Sequence, residues 1–492
     1  MHPFLRYPFD IYAHLIAIDE QYCHIDTTTT SIQHSRLIWH KIWANIFLLF
    51  HIDSSKIFLR AKIIFIIQTS FNLFAVYYFS LVIFRNIFIN SKKYILQSLA
   101  LWSSLIWFTL FATKSGPYHL IWTLWYGVNY QITLGLFWYI TALTLVLFLE
   151  HTSFKKRIFF GLQILLISLF ILRVHSMEFL YYLMYLSVFT LVYADKMLVL
   201  LKKYYLILIP FIGIFIFIIQ TFQTESSKIF NYLHIDKLPL LYETILKNGS
   251  FIVAYWNRAS ASINELMYLS AFMTLLMLLH FFKTYTSKKV TLNLRMLFFI
   301  LITSLFLLIP LYEFSSGLFS IITRKDVIHR FYYSASFFML LPISIYYFIN
   351  YYKLKNLYLH STIFLLLLGT AIYSKNSRYY ASHNYYRNIR SIGQSFHADT
   401  YAFHLNKKRI DTIGKKLADI EKNNFSSQKI YYYARADIAF VIKYIYHKDV
   451  YWEGRRANPD YLKHYKEDTP PLGYKKVLFE TPKMFPTYRR YL

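Results

Sequence analysis

"QITLGLFWYITALTLVLFLEHTSFKKR", residues 131–157, decides the fold. Its first part is apolar for about the twenty residues that a helix needs to cross a hydrocarbon core of roughly 30 Å. Its second part brings Lys155, Lys156 and Arg157 into one short connection. The same alternation of apolar run and polar joint repeats along the chain. Spans are expected near 63–84, 95–112, 131–149, 158–173, 177–194, 204–221, 266–282, 294–312, 331–349 and 359–374. The pair 158–173 and 177–194 reads as two spans joined at "RVHSME". The fold class is a polytopic α-helical membrane protein of about ten spans, and a small external α/β domain follows them.

Composition agrees. Of 492 residues, 56% are hydrophobic and 16% charged, and the mean hydropathy is +0.35, less polar than a soluble chain of this length. The 46 Tyr and 46 Phe gather at the ends of apolar runs ("FAVYYFS", "SIYYFINYY"), where interfacial aromatic belts form. The net charge of +28 lies mostly between spans and in the tail, which fits membrane topology and anionic lipid head groups better than a nucleic-acid partner, and no nucleic acid is expected. A single cysteine, Cys23, excludes an internal disulfide and any CxxC metal site. No secretory signal peptide is visible: Met1 leads straight into polar residues.

Basic residues set the expected sides. The connections "RNIFINSKK", "EHTSFKKR", "DKMLVLLKKYY", "KTYTSKKVTLNLR" and "NYYKLKN" are rich in Lys and Arg and are expected in the cytoplasm. "TKSGPYH", "RVHS" and the longer loops near 222–265 and 313–330 then lie outside. Three regions follow: an external loop with interfacial helices over 1–62, a transmembrane helical domain over 63–374, and a soluble external α/β domain over 375–492. An exported N-terminus leads us to expect one more transmembrane helix upstream of Met1, with an unaided N-tail as the alternative. "HKIWANIFLLFHI" (40–52) is too short to span and reads as an interfacial helix. In the tail, "KKRIDTIGKKLADIEK" reads as an amphipathic helix, "KIYYYA", "DVYWEG" and "KVLFET" as strands, and "RADIAFVIKYIYHK" as a helix.

Three polar groupings can carry chemistry. In "RYPFDIYAHL" (6–15), a helix beginning near Pro8 puts Asp10, Ala13, His14, Ala17 and Gln21 on one face. Small neighbours leave space before Asp10 and His14, where a carboxylate can take a hydroxyl proton and an imidazole can orient it. An ordinary solvated face, with Asp10 capping the helix, is the bland reading. His175 and Glu178 in "RVHSMEF", beside Arg173, form a second pair at the outer interface; a self-satisfied turn is its bland reading. In "IITRKDVIHRFYY" (321–333), Arg324, Lys325, His329 and Arg330 precede a span, and such residues grip phosphate oxygens or anchor to head groups. Lys114, Tyr118, His119, Asn257, Arg258 and Glu265 are smaller candidates. No GxxxxGK[ST], HExxH or GxSxG motif is present, and no inverted pair of broken helices announces a transporter.

The polar first loop with its interfacial helix, the spans, the Arg/His-bearing segment "VIHRFYYSASFFMLLP" and the α/β tail together resemble the GT-C fold membrane glycosyltransferases. The resemblance implies transfer of a sugar from a polyprenyl-phosphate or diphosphate donor to an acceptor hydroxyl on a glycan, lipid or protein. It implies a hexosyl- or pentosyltransferase serving the cell envelope, in a bacterial inner membrane with its active site on the periplasmic side. By resemblance Asp10 is the catalytic acid or base and His14 its orienting partner, with Asp19 and Glu20 as backup acids. Arg330 and Arg324, with Lys325 and His329, would hold the donor phosphate. No Asp-x-Asp appears in the first loop, so the metal stays unknown: no cofactor is certain and a divalent ion is possible. A polysaccharide polymerase or ligase, or a lipid-glycan transporter, are the alternatives.

Overall fold

A computed structural model of the chain describes residues 9–22, 38–110, 129–150, 153–196, 198, 238–259, 265–284, 292–322, 328, 331–376, 407–423, 429–434, 436–452 and 473–479. Among these the chain is mostly helical, with one small sheet. Among the described residues three helices are long and apolar enough to cross a membrane: Leu59–Ile87, Gln131–Leu149 and Phe154–Val174. The pair Leu294–Pro310 and Glu313–Ser320, bent by 85°, makes a fourth if it is one span. Of the other expected spans, 95–112 falls on Lys93–Leu110, while 204–221 lies outside the described residues. The remaining four fall on Ser176–Val192, Glu265–Lys283, Ser336–Tyr351 and Leu357–Asn376.

The chain divides into two compact units. One gathers residues Met1–Thr69, Trp122–Ile132 and Arg390–Leu492, and the other holds Ser70–Ile121 and Thr133–Ile389. The N-terminal loop and the tail, read from the sequence as separate regions, thus fall in the same unit.

In the first unit, α1 (Phe9–Tyr22) packs against α2 (Ile38–Leu49). The Asp53 carboxylate accepts from the Ser55 amide at 3.0 Å, capping the short turn that leads into α3 (Ile57–Ile87). The tail holds an α/β arrangement in which β1 (Lys429–Ala434) lies between β2 (Val450–Trp452) and β3 (Tyr474–Leu478), all parallel. Parallel neighbours need a crossover, and the helix Ala436–Tyr444 supplies it between β1 and β2. Tyr432 and Phe479 pack on one side of this sheet, where the Tyr432 hydroxyl donates to Glu421 of the helix Lys407–Lys422.

The second unit is a helical bundle with an aromatic core. Trp138 meets Phe79 at 4.8 Å, Tyr185 at 5.8 Å and Phe338 at 5.5 Å between ring centroids. Small hydroxyls join its helices: Thr303 to Ser336 at 2.5 Å, and Tyr185 donating to the Ser334 carbonyl at 2.6 Å. The helices Leu238–Ala259 and Glu313–Ile322 cross backbone to backbone at two glycines. A Cβ at Gly249 would lie 1.8 Å from the Glu313 carbonyl oxygen, and one at Gly317 1.9 Å from that of Ile245.

Candidate functional site

The polar residues of the first unit converge on α1. Residues 14–19 of this helix are buried, so the face expected to stand before open space is closed at His14 and Ala17. Ala17 is fully buried, and α1 packs against α2. His14 Nδ1 and His40 Nε2 share a hydrogen bond of 2.7 Å, with the rings stacked at 5.0 Å and Trp39 edge-on to both. The Trp39 indole donates to Gln68 at 2.9 Å, Gln68 to Gln131 at 2.9 Å, and Gln131 to the Thr69 hydroxyl at 3.1 Å. Amides serve this role well because each donates and accepts at once, so a buried chain of them stays satisfied.

One turn further along α1, Asp19 is the centre of an ionic node. Its Oδ1 accepts from Arg60 Nη1 at 2.9 Å; Oδ2 accepts from the Tyr444 hydroxyl at 2.6 Å and lies 3.3 Å from Lys443 Nζ. Arg60 is fully buried, and it also donates through Nε and Nη2 to the Ile52 carbonyl at 3.0 and 2.6 Å while covering the Phe47 ring. Burial alone would raise the Asp19 pKa. Lys443, the hydrogen bonds from Ser54 and Tyr444, and Arg60 outweigh it and hold the carboxyl below its ordinary value. Asp19 therefore stands as the ion-paired hub joining α1, α3 and the tail helix Ala436–Tyr444, with both oxygens engaged.

The second unit carries a separate pair. Phe154–Val174 and Ser176–Val192 are two helices, as read, and the chain breaks between them at His175 (φ −159°, ψ 96°). Glu178 sits in the first turn of the second helix, where a carboxylate is favoured, and Oε2 takes the His175 Nδ1 contact. The Thr133 hydroxyl donates to the same oxygen at 3.2 Å. Glu178 is buried, while the His175 side chain keeps 18% of its surface exposed.

The remaining candidates are placed less fully. Asp10 lies in the first turn of α1 and Glu20 near its end, but their side chains lie outside the described residues, as do Arg324, Lys325, His329 and Arg330 altogether. Arg258 and Asn257 fall near the end of Leu238–Ala259, and Glu265 opens the next helix. Lys114, Tyr118 and His119 also lie outside the described residues. The glycine contacts make Leu238–Ala259 and Glu313–Ile322 antiparallel, which puts the Arg258 end away from Ile322, the last described residue before Arg324. Among the described residues no group of three or more His, Cys, Asp or Glu can hold a metal ion. Asp19, with both oxygens taken by cations and a phenol, does not fit a ligand's part.

Arg60, His40, Gln68, Gln131, Thr133, Lys443 and Tyr444 were not singled out by sequence. Arg60, Gln68 and Gln131 left a signal, since polar groups within apolar runs are costly and mark either a task or a buried partner. Comparison with known proteins adds no relative: no protein-family model, no curated protein and no solved structure matches the chain.

Proposed function

We propose that the chain is a membrane glycosyltransferase that moves a sugar from a polyprenyl-phosphate or diphosphate donor to an acceptor hydroxyl. The observation that carries this reading is the node at Asp19. It fixes α1, the helix bearing Asp10, onto the tail helix Ala436–Tyr444 through Tyr444 and Lys443. A transferase that works on two large, mobile substrates needs its base held still against the surface that positions the acceptor, because orientation supplies much of the rate. An N-terminal polar helix locked to an α/β tail answers that need, and the candidate spans supply the lipid side.

In this reading Asp10 takes the proton of the acceptor hydroxyl. The oxygen attacks the anomeric carbon, and the sugar–phosphate bond breaks with its electron pair going to the phosphate. Arg330 and Arg324 offset the charge that builds on the departing phosphate, with Lys325 and His329 beside them in sequence. The phosphate is its own leaving group, so no nucleotide need be hydrolysed. His14, held by His40, stiffens the face of α1 that carries Asp10.

The test is transfer of radiolabelled sugar from polyprenyl-phosphate donors by the protein reconstituted in liposomes. Asp10→Ala should abolish transfer while the protein remains in the membrane, and Arg330→Ala should weaken donor binding more than Asp10→Ala does. Retained transfer in Asp10→Ala removes the assigned base; no transfer by the wild type from any lipid-linked sugar removes the reading. Cys23 adds a check of sides, since a membrane-impermeant maleimide applied to intact cells should label it.

A further inference from the structure

Two basic connections of the second unit meet on one surface. The first follows the candidate span Leu59–Ile87 and carries Lys92 and Lys93; the second follows the helix Leu340–Tyr351 and carries Lys353 and Lys355. Side chains tie them together. The Tyr346 hydroxyl donates to Ser91 Oγ at 2.9 Å, and the Asn356 amide lies 3.5 Å from the Tyr94 hydroxyl. All four lysines are exposed, and neither connection, 88–94 or 352–358, contains an acid. Among the described residues none of the four enters an ion pair.

Their placement works against the backbone. Lys92 and Lys93 open the helix Lys93–Leu110, and Lys353 and Lys355 stand just before Leu357–Asn376, so each pair adds charge to the positive end of a helix dipole. Lys353 also has a φ of 52°, in the left-handed region. The Leu354 amide donates to the Ile349 carbonyl at 2.9 Å and the Lys353 amide to that of Asn350 at 3.3 Å. In this helix ending glycine is the usual occupant of the Lys353 position, because a Cβ is strained there. Lysines that strain the backbone and repel one another call for an anion from outside the chain. Their surroundings point to its source. Ile89 and Leu357 are 68% and 69% exposed beside these lysines, and Leu354 separates Lys353 from Lys355. Apolar side chains among exposed lysines, a few residues past the end of a candidate span, match the boundary between acyl chains and head groups. A soluble anion would leave them in water.

We propose that this surface binds the phosphate head group of an anionic phospholipid. Lysines from both connections face the phosphate, and Ile89, Leu354 and Leu357 meet the acyl chains. The bound lipid clasps the two connections and so fixes the starts of Lys93–Leu110 and Leu357–Asn376. The site is independent of the sugar-transfer reading, whose residues lie elsewhere in the chain.

The test uses full-length protein in detergent, with bound lipid counted by native mass spectrometry during titration with phosphatidylglycerol or with phosphatidylcholine of the same acyl chains. The wild type should retain phosphatidylglycerol in preference, and high salt should shrink that preference. Lys353→Gly should weaken phosphatidylglycerol binding about fivefold, roughly the effect of one basic residue near an anionic surface. Its Tm without lipid should stay the same or rise, because glycine relieves the left-handed strain. Lys92→Gln/Lys355→Gln should weaken binding about 25-fold on the same scale and leave phosphatidylcholine binding unchanged. Lys155→Gln/Lys156→Gln, which removes two exposed lysines from a different connection, should change neither. An equal loss in that control would show a diffuse field of charge rather than a site. Competition by free glycerol phosphate at the lipid's concentration would make the ligand a soluble phosphate, and tighter retention of a polyprenyl phosphate would make it the donor lipid. Each of these results overturns the proposal, as does a wild type without preference or unchanged binding in Lys353→Gly.

Discussion

Replacing Asp19 with alanine removes the anion from a node whose chief cation cannot reach water. Arg60 is 0% exposed and would keep the Ile52 carbonyl and the Phe47 ring, neither of which carries a negative charge. At the observed 2.9 Å, two unit charges attract by roughly 6 kcal/mol at an effective dielectric constant of about 20. Desolvation of both groups cancels much of this in the intact pair, so the pair itself adds little net stability. Removing one partner is a different matter and costs about 3–5 kcal/mol, because the other charge stays buried and uncompensated. At about 1.4 kcal/mol per decade that is two to nearly four decades in the opening equilibrium. The assay is amide hydrogen exchange in detergent. Asp19→Ala should speed exchange by at least about a hundredfold in both α1 and the helix Ala436–Tyr444, since one carboxylate holds both. Lys443→Met should do far less, under about 1 kcal/mol, because the Lys443 side chain is 32% exposed and its charge is screened. Unchanged protection in Asp19→Ala, or loss in α1 alone, would show that the node does not carry the docking.

The pH dependence of the same contact has a defined sign. The folded-state pKa of Asp19 is lowered from 3.8, so its contribution is fully present above that value and is lost as pH falls through the folded value; exchange in α1 should rise only in that acid range. Gly249→Ala and Gly317→Ala should each cost about 1–3 kcal/mol or more, seen as a lowered Tm in detergent, because the new methyl meets carbonyl oxygens at 1.8 and 1.9 Å. Gly161→Ala, in a helix and with nothing within 4 Å of the added Cβ, should leave Tm unchanged or raise it by up to about 1 kcal/mol in stability.

The tail was the most legible part of the chain. "KKRIDTIGKKLADIEK" forms the helix Lys407–Lys422 over its whole length, and "KIYYYA" forms β1. The reason is local: a change of hydrophobic period from helical to alternating is written in neighbouring residues. The break at His175 was legible likewise, from polar residues between two apolar runs. What joins the elements was not. Asp19 meets Arg60 across 41 residues and Tyr444 across 425, and nothing in the spacing of either end names the other. Periodicity identified the small, polar face of α1 but not its neighbour, so a face read as open is filled by His40 and Trp39. For the spans, length carried the coarse reading: among the described residues three helices are long and apolar enough to cross a membrane, and Pro310 stands at the end of the first arm of the bent pair that makes a fourth if it is one span.

A node of charge at this place needs a reason, because apolar contact would dock α1 at lower cost. In a chain that is 56% hydrophobic, apolar contact is abundant and unselective. Leu15, Ile16 and Ile18 of α1 find an acceptable surface on almost any neighbouring helix. A carboxylate is stricter, since each misplaced register leaves it buried without donors. We hypothesise that Asp19 and Arg60 are kept for the uniqueness of docking rather than for its strength. The double variant Asp19→Leu/Arg60→Met separates the two, as it removes both charges and restores apolar volume. Its thermal stability should match or exceed that of the wild type, while exchange of the α1 amides should split into more than one population. A single, wild-type pattern of exchange at undiminished stability would mean that shape alone fixes α1, and the reason for the charges would have to be sought in the chemistry beside them.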